Sequence, residues 1–252
     1  MSEAFFHSLL LVAWFALAAI IAPFLLFVSA PYGRHARAGW GPRMNGTAGW
    51  VLMEAVSPLS MAFLFAVGTH ENAVAVAFLA MWLLHYVHRS FIFPFRRRGG
   101  AADMPIAIVL MGVAFNVGNG YLNGRWLFTL GPAYDLAWLC DPRFIVGLAL
   151  FLAGFAVNLH SDHVLFSLRA PGETGYKIPQ KGFHRLVSSP NYLGEIMEWF
   201  GFALATWSLS GLSFAVWTAA NLAPRAFTHH KWYKATFKDY PRSRKALVPF
   251  VW

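Results

Sequence analysis

Seven long apolar stretches set the terms for this chain. They fall at about 4–29, 50–69, 72–95, 104–122, 143–166, 193–209 and 211–224. Most approach the ~20 residues a helix needs to cross a bilayer, and the last two are shorter. In hydrocarbon every backbone N–H and C=O must bond internally, so a spanning segment is a helix or part of a closed barrel. The stretches are continuous and long, not ~10-residue alternating segments, which selects helices. Composition agrees: 58% of the residues are hydrophobic and 12% charged, against about 25% charged in a soluble domain. Aromatic residues make up 17%, which suits interfacial belts and an aromatic-lined lipid pocket. The expectation is an all-α polytopic membrane protein with about seven transmembrane helices. With no internal repeat or linker, it reads as one membrane-embedded domain over 1–252.

Loop charge gives an orientation. The net charge is +9, and the basic residues sit in short loops. Arg34, Arg37 and Arg43 precede the second stretch, Arg96-Arg97-Arg98 follows the third, and Arg169, Lys177, Lys181 and Arg185 follow the fifth. The connector Gly68-Thr69-His70-Glu71-Asn72 has no Lys or Arg, and Arg125 is offset by Asp135 and Asp141. The tail from Arg225 onward is strongly basic. The positive-inside rule then puts the N-terminus outside and the C-terminus in the cytosol, which an odd number of spans permits. Cations in such loops set topology and can hold phosphates, so no nucleic-acid partner is expected. A monomer is expected, in a bacterial inner membrane or an endoplasmic reticulum membrane. The N-terminus lacks the basic region and cleavage site of a signal peptide, so the first stretch should be retained as a span. Cys140 is the one cysteine, which rules out an internal disulfide or a cysteine zinc site. The sequon Asn45-Gly46-Thr47 falls on the cytosolic side and should be unused.

Polar groups inside apolar stretches cost at least ~2.5 kcal/mol on insertion scales and are functional candidates. Glu54 lies in the second stretch and Tyr86 near the end of the third. A neighbouring helix could satisfy the first, and a membrane-interface belt could explain the second. Together, a carboxylate hydrogen-bonded to a phenol makes a proton donor to a carbonyl. Asn158 and Asp162 share a face at i,i+4, with Arg169 seven residues further if the helix continues. Asn191, Glu195 and Glu198 form another polar stripe, preceded by Pro190, which suits a first helical turn. Their carboxylates need partners, and Arg225, His229 and Tyr233, recurring every four residues, offer them. The same tail also fits a basic amphipathic helix on the membrane surface. No Gly-rich dinucleotide fingerprint follows a strand signal, so any such cofactor would be held by helix faces and loops. The pairs His85/His88, His160/His163 and His229-His230 admit a His-ligated di-iron lipid oxygenase, although that class uses denser histidine boxes. The Pro-Asn-Tyr tract with C-terminal Glu and Arg also admits a membrane methyltransferase of the isoprenylcysteine type.

Several tracts, in order, resemble the steroid 5α-reductase (3-oxo-5α-steroid 4-dehydrogenase) family from about Tyr32 to Trp252. They are Tyr32-Gly33-Arg34-His35, the Glu54 segment, His85-Tyr86-Val87-His88-Arg89 and Asn158-Leu159-His160-Ser161-Asp162. Then come Pro171-Gly172-Glu173, Asn191-Tyr192-Leu193-Gly194-Glu195 and Ala203-Leu204-Ala205-Thr206-Trp207. The tail adds Arg225-Ala226-Phe227 and Asp239-Tyr240-Pro241-Arg242-Ser243-Arg244-Lys245-Ala246-Leu247. Each tract is weak alone; their order and spacing carry the match, and a homologue of the type 2 animal enzyme is expected. The resemblance implies a seven-helix membrane fold and NADPH as hydride donor, bound from the cytosolic side. It implies reduction of the Δ4 bond of 3-oxo-Δ4 steroids, or a similar enone lipid, to the 5α-reduced ketone. It implies that Glu54 and Tyr86 face the 3-keto oxygen. It implies cofactor contacts from Tyr32, Asn158, Asp162, Arg169, Tyr176, Asn191, Glu195, Arg225, His229 and Tyr233, with no metal. Animal members carry Gln before the glutamate; here that position is Met53, which bears on substrate range.

Overall fold

A computed structural model describes residues 1–28, 39–96, 102–170, 173 and 175–252. Among them run seven long helices. α1 is Glu3–Phe27, α2 Gly46–Ala66, α3 Ala73–Arg96, α4 Ile106–Leu130 and α5 Pro142–Ser167. α6 is Pro190–Thr206 and α7 Leu209–Thr236. Each matches an apolar stretch of the sequence, but only α1 to α5 are long and apolar enough to cross a membrane. α6 has 17 residues and carries Glu195 and Glu198. α7 continues twelve residues past the expected 224, because Arg225, His229 and Tyr233 keep helical spacing after the apolar part ends. The all-α expectation needs one small amendment. β1 (Arg43–Met44) pairs antiparallel with β2 (Met104–Pro105), tying the entry of α2 to that of α4.

Capping side chains start these helices where the sequence changes character. Asn72 accepts from the N–H groups of Val74 and Ala75 at α3, and Ser208 from that of Gly211 at α7. Asp141 accepts from the Arg143 N–H ahead of α5, whose first residue is Pro142. Asn45, the sequon asparagine, caps α2 by accepting from Thr47 and Ala48. Inside α3 a π turn over His88–Ile92 adds a residue to the register. Such turns are rare and gather at functional sites.

The tightest packing is between α5 and α6. Gly147, Gly154, Gly194 and Gly201 face one another in antiparallel register. A Cβ on any of them would lie no more than 2.6 Å from backbone atoms of the opposite helix. Small residues let backbones approach this closely where lipid supplies no hydrophobic drive. Facing this seam is an aromatic core with Trp82 at its centre. Its ring lies 5.3 Å from Tyr86, 5.3 Å from Trp199, 5.4 Å from Phe202 and 5.2 Å from Phe214. α1 turns Phe5, Leu9, Val12, Ile20 and Phe24 outward. Polar contacts tie it inward: His7 Nε2 with the Leu122 carbonyl, Trp217 Nε1 donating to the Trp14 carbonyl, and Glu3 accepting from Arg125 in a bidentate pair and from the Tyr121 hydroxyl.

The tail folds back on the loop before α6. Ser188 N–H donates to the Lys245 carbonyl, and Lys245 N–H to that of Leu186. The Ser188 hydroxyl meets His230 Nδ1 at 2.7 Å and the Tyr240 hydroxyl at 2.6 Å. Beneath this, His184 is 1% exposed and bonds the Ser161 carbonyl through Nε2. Burial, with Arg244 and His160 nearby, lowers its pKa to about 4.

Candidate active site

α3 supplies one wall. Tyr86 is buried and stacked on Trp82, with Phe214 in contact with both rings, 6.4 Å from Tyr86 and 5.2 Å from Trp82. Ser57 of α2 accepts a hydrogen bond from Trp82 Nε1 at 3.1 Å and lies beside the Tyr86 phenol. Glu54, half-buried, sits one turn earlier on α2. The two side chains thus converge, but no direct hydrogen bond joins Glu54 to Tyr86. The carboxylate–phenol bond expected from the sequence is replaced by proximity, with Ser57 next to the phenol. Asn116 of α4 closes this end by donating to the Met53 carbonyl at 2.7 Å. The Met53 side chain itself turns toward α4, filling the space left by Gly112.

One turn past Tyr86, Arg89 joins the two halves of the site. Its guanidinium lies 3.8 Å from Asp162 and 3.9 Å from Glu195. It lies against the rings of Trp50 at 4.8 Å and Phe93 at 4.4 Å, which also touch each other at 5.3 Å, and its charge also reaches Glu54. Sequence reasoning gave this arginine no role. The available signal was a lone cation inside an apolar run, one helical turn beyond the phenol.

α5 and α6 supply the opposite wall. Across their glycine seam, Asn158 Nδ2 donates to the Asn191 carbonyl at 2.9 Å and reaches Glu195 Oε2 at 3.4 Å. Asn191 Nδ2 donates to Asp162 Oδ1 at 3.0 Å. Four of the expected cofactor residues therefore form one mesh. Asp162 Oδ2 is buried and has no hydrogen-bond partner.

The expectation that the tail satisfies the α6 carboxylates is corrected. Glu195 turns to Arg89 and Asn158, and Glu198 to His85 of α3 at 2.9 Å. The reason is facing: the seam aims this stripe at α3 and α5, not at the tail. The remaining candidates lie further out. Arg225 and His229 flank the Tyr192 ring, at 5.9 Å and 5.5 Å. Tyr233 is buried against Tyr240 at 5.2 Å. α5 ends at Ser167, so Arg169 lies beyond the helix that was to align it with Asp162. It donates to the Gly175 carbonyl at 2.8 Å and lies over Tyr176, which packs on Trp232. Tyr32 falls outside the described residues. The histidines disperse: His85 to Glu198, His229 to Tyr192 and His230 to Ser188.

The mesh, the phenol and the bridging arginine enclose a polar spot inside an otherwise apolar bundle. Known proteins supply the context. A family model described as 3-oxo-5-alpha-steroid 4-dehydrogenase matches residues 102–252. The chain is 44% identical over 242 residues to the bovine (Bos taurus) 3-oxo-5-alpha-steroid 4-dehydrogenase 1, covering 94% of this chain and 93% of that one. It is 41% identical to the human 3-oxo-5-alpha-steroid 4-dehydrogenase 2 over 232 residues, with 90% of each covered. It is 42% identical to steroid 5-alpha-reductase DET2 of Gossypium hirsutum over 233 residues, again with 90% of each covered. The pairwise matches include the part of the chain that holds Glu54 and Tyr86.

Proposed function

Since this chain belongs to the 3-oxo-5-alpha-steroid 4-dehydrogenase family, and is an oxidoreductase of steroid metabolism, we propose that it reduces the Δ4 bond of 3-oxo-Δ4 steroids to the 5α-reduced ketone with NADPH. The observation that carries this reading is the convergence of Tyr86, Glu54 and Arg89 with the Asn158–Asp162–Asn191–Glu195 mesh. An enone accepts hydride at its β-carbon, C5, when its carbonyl oxygen is polarised, and C4 then takes a proton. The Tyr86 hydroxyl is the donor placed to polarise that oxygen. Glu54 holds the same end of the substrate, and the Trp82–Trp199–Phe214 rings keep water from it.

The residues present fit the cofactor. Asp162 Oδ2 is a buried acceptor with no hydrogen bond, the Arg89 guanidinium standing 3.8 Å away, and Asn158, Asn191 and Glu195 offer amide and carboxylate groups suited to a carboxamide. NADPH, when bound, supplies the hydride. Carboxylates would repel its phosphates, so we assign those to Arg169 and Arg225, outside the mesh. Tyr32, Tyr176, His229 and Tyr233 complete the proposed set. In the proposed orientation the N-terminus is outside, and the C-terminal ends of α3, α5 and α7 with the start of α6 face the cytosol. Purified protein incubated with NADPH and a panel of Δ4-3-keto steroids should release 5α-reduced ketones. Absence of product across the panel, with folded protein, would count against the reading.

A further inference from the structure

Glu198 has no part in the chemistry above, yet it is the most deeply buried carboxylate described, at 0% exposure. Its Oε1 lies 2.9 Å from His85 Nδ1, and the histidine is 4% exposed. Its Oε2 has no partner. Two well-packed apolar side chains would often be as stable as such a pair. The surroundings give a reason for keeping it. Around this pair the other large side chains between α3 and α6 are the rings of Trp82, Tyr86, Trp199 and Phe202; the Arg89–Glu195 ion pair, at 3.9 Å, is longer and lies one turn further along α3. Ring contacts tolerate sliding, whereas a hydrogen bond at 2.9 Å does not. The His85 ring also sits edge-on to Tyr86 at 4.9 Å and to Trp199 at 4.8 Å. Trp199, next to Glu198 on α6, is in turn 5.6 Å from Tyr86.

We propose that His85 and Glu198 are positioning residues for Tyr86, their single buried hydrogen bond fixing the rotation and height of α3 against α6 and thereby the place of the phenol. The proposal rests on the reading of Tyr86 as the carbonyl donor. Whichever partner holds the shared proton, the pair presents one N–O hydrogen bond, so geometry and not charge is what it supplies. α6 is itself locked to α5 through the glycine seam. The bond therefore references the donor on α3 to the same rigid pair that carries Asn158, Asp162, Asn191 and Glu195.

Two variants separate positioning from stability. Replacing both partners, His85→Leu with Glu198→Leu, leaves no lone polar atom behind and should fold. It should lower kcat about 30- to 100-fold while the KM for NADPH and for steroid stays within about threefold, because misplacement by about 1 Å costs rate on that scale. Glu198→Gln keeps an oxygen acceptor for the His85 N–H and should restore most of the turnover. A folded double variant with wild-type kcat overturns the proposal, since the pair would then be packing alone. A Gln variant as slow as the double variant also overturns it, because charge or proton supply would be what matters. The single-turnover rate of Tyr86→Phe decides the reading on which this rests; the ratio of variant to wild-type kcat decides the role of the pair.

Discussion

Tyr86→Phe removes one oxygen from the centre of the site and almost no volume. The ring keeps its stack on Trp82 at 5.3 Å and its contacts with Trp199 and Phe214. Ser57, beside the phenol, still receives the Trp82 Nε1 hydrogen at 3.1 Å, so the folded state loses at most one neutral hydrogen bond, about 0.5–1.5 kcal/mol. The transition state loses more. Negative charge gathers on the carbonyl oxygen as hydride arrives, and one preorganised donor to such an oxygen is worth about 2.7–4 kcal/mol, or ~100- to 1000-fold in rate. Steroid should still bind, because its rings bury apolar area that Phe leaves undisturbed. The assay is single-turnover decay of NADPH fluorescence with steroid already bound, which separates chemistry from binding. A Tyr86→Phe protein that binds steroid more weakly but transfers hydride at the wild-type rate would refute the argument. Tyr86 would then be a wall, with Glu54 the next donor to test.

Three further expectations are open to direct measurement. Glu54→Gln keeps the shape of the side chain but loses its charge and should cut turnover ~100-fold with NADPH titrations unchanged; near-normal turnover counts against its role. Gly154→Ala drives a methyl group into the Glu198 N–H and the Gly194 carbonyl and should destabilise by about 1–3 kcal/mol, seen as a lower unfolding temperature in detergent; an unchanged midpoint would mean that the seam can open. Burial holds His184 at about 4 in the folded chain, against ~6.5 when unfolded. Its contribution is therefore complete above about pH 6.5 and lost as pH falls toward 4, on the order of 3 kcal/mol. His184→Gln should flatten that part of the stability profile, and an equal acid loss in both proteins would point to other groups.

The helices were legible because hydrocarbon permits so little else: the apolar runs marked α1, α2, α3, α5 and α6 to within four residues at each end, while α4 and α7 ran on past theirs. Glu54, Asn158, Asp162, Asn191 and Glu195 were legible for a related reason, since a polar group in an apolar run costs enough to need explaining. Partners were not legible. Nothing local says that Glu198 faces His85, 113 residues away, or that Arg89 sits between Asp162 and Glu195, because those choices depend on which helices pack together. The π turn in α3 shifts residues after His88 relative to an ideal helix, so face arguments carried past it fail. Four glycines at sevenfold spacing on two neighbouring stretches were visible, but only packing shows that they oppose one another. α7 outran its apolar stretch because helical spacing, not hydropathy, sets where a helix ends.

The glycine seam also bears on how this chain enters a bilayer. α6 is short, and its two carboxylates make it a poor substrate for insertion alone. α5 directly precedes it and is apolar enough to insert unaided. Pairing along the seam gives Glu195 an amide neighbour from Asn158 at 3.4 Å and does so between consecutive long helices, where the closure entropy of the connection over 168–189 grows only slowly with its length. In the proposed seven-span arrangement α6 crosses as a passenger on α5, its glutamates partly answered by Asn158 before α3 packs against it with Arg89 and His85. Bulk at Gly154 or Gly194 would strand that passenger, and the defect would show first as α6 left on the wrong side of the membrane, before any loss of turnover in the protein that did assemble.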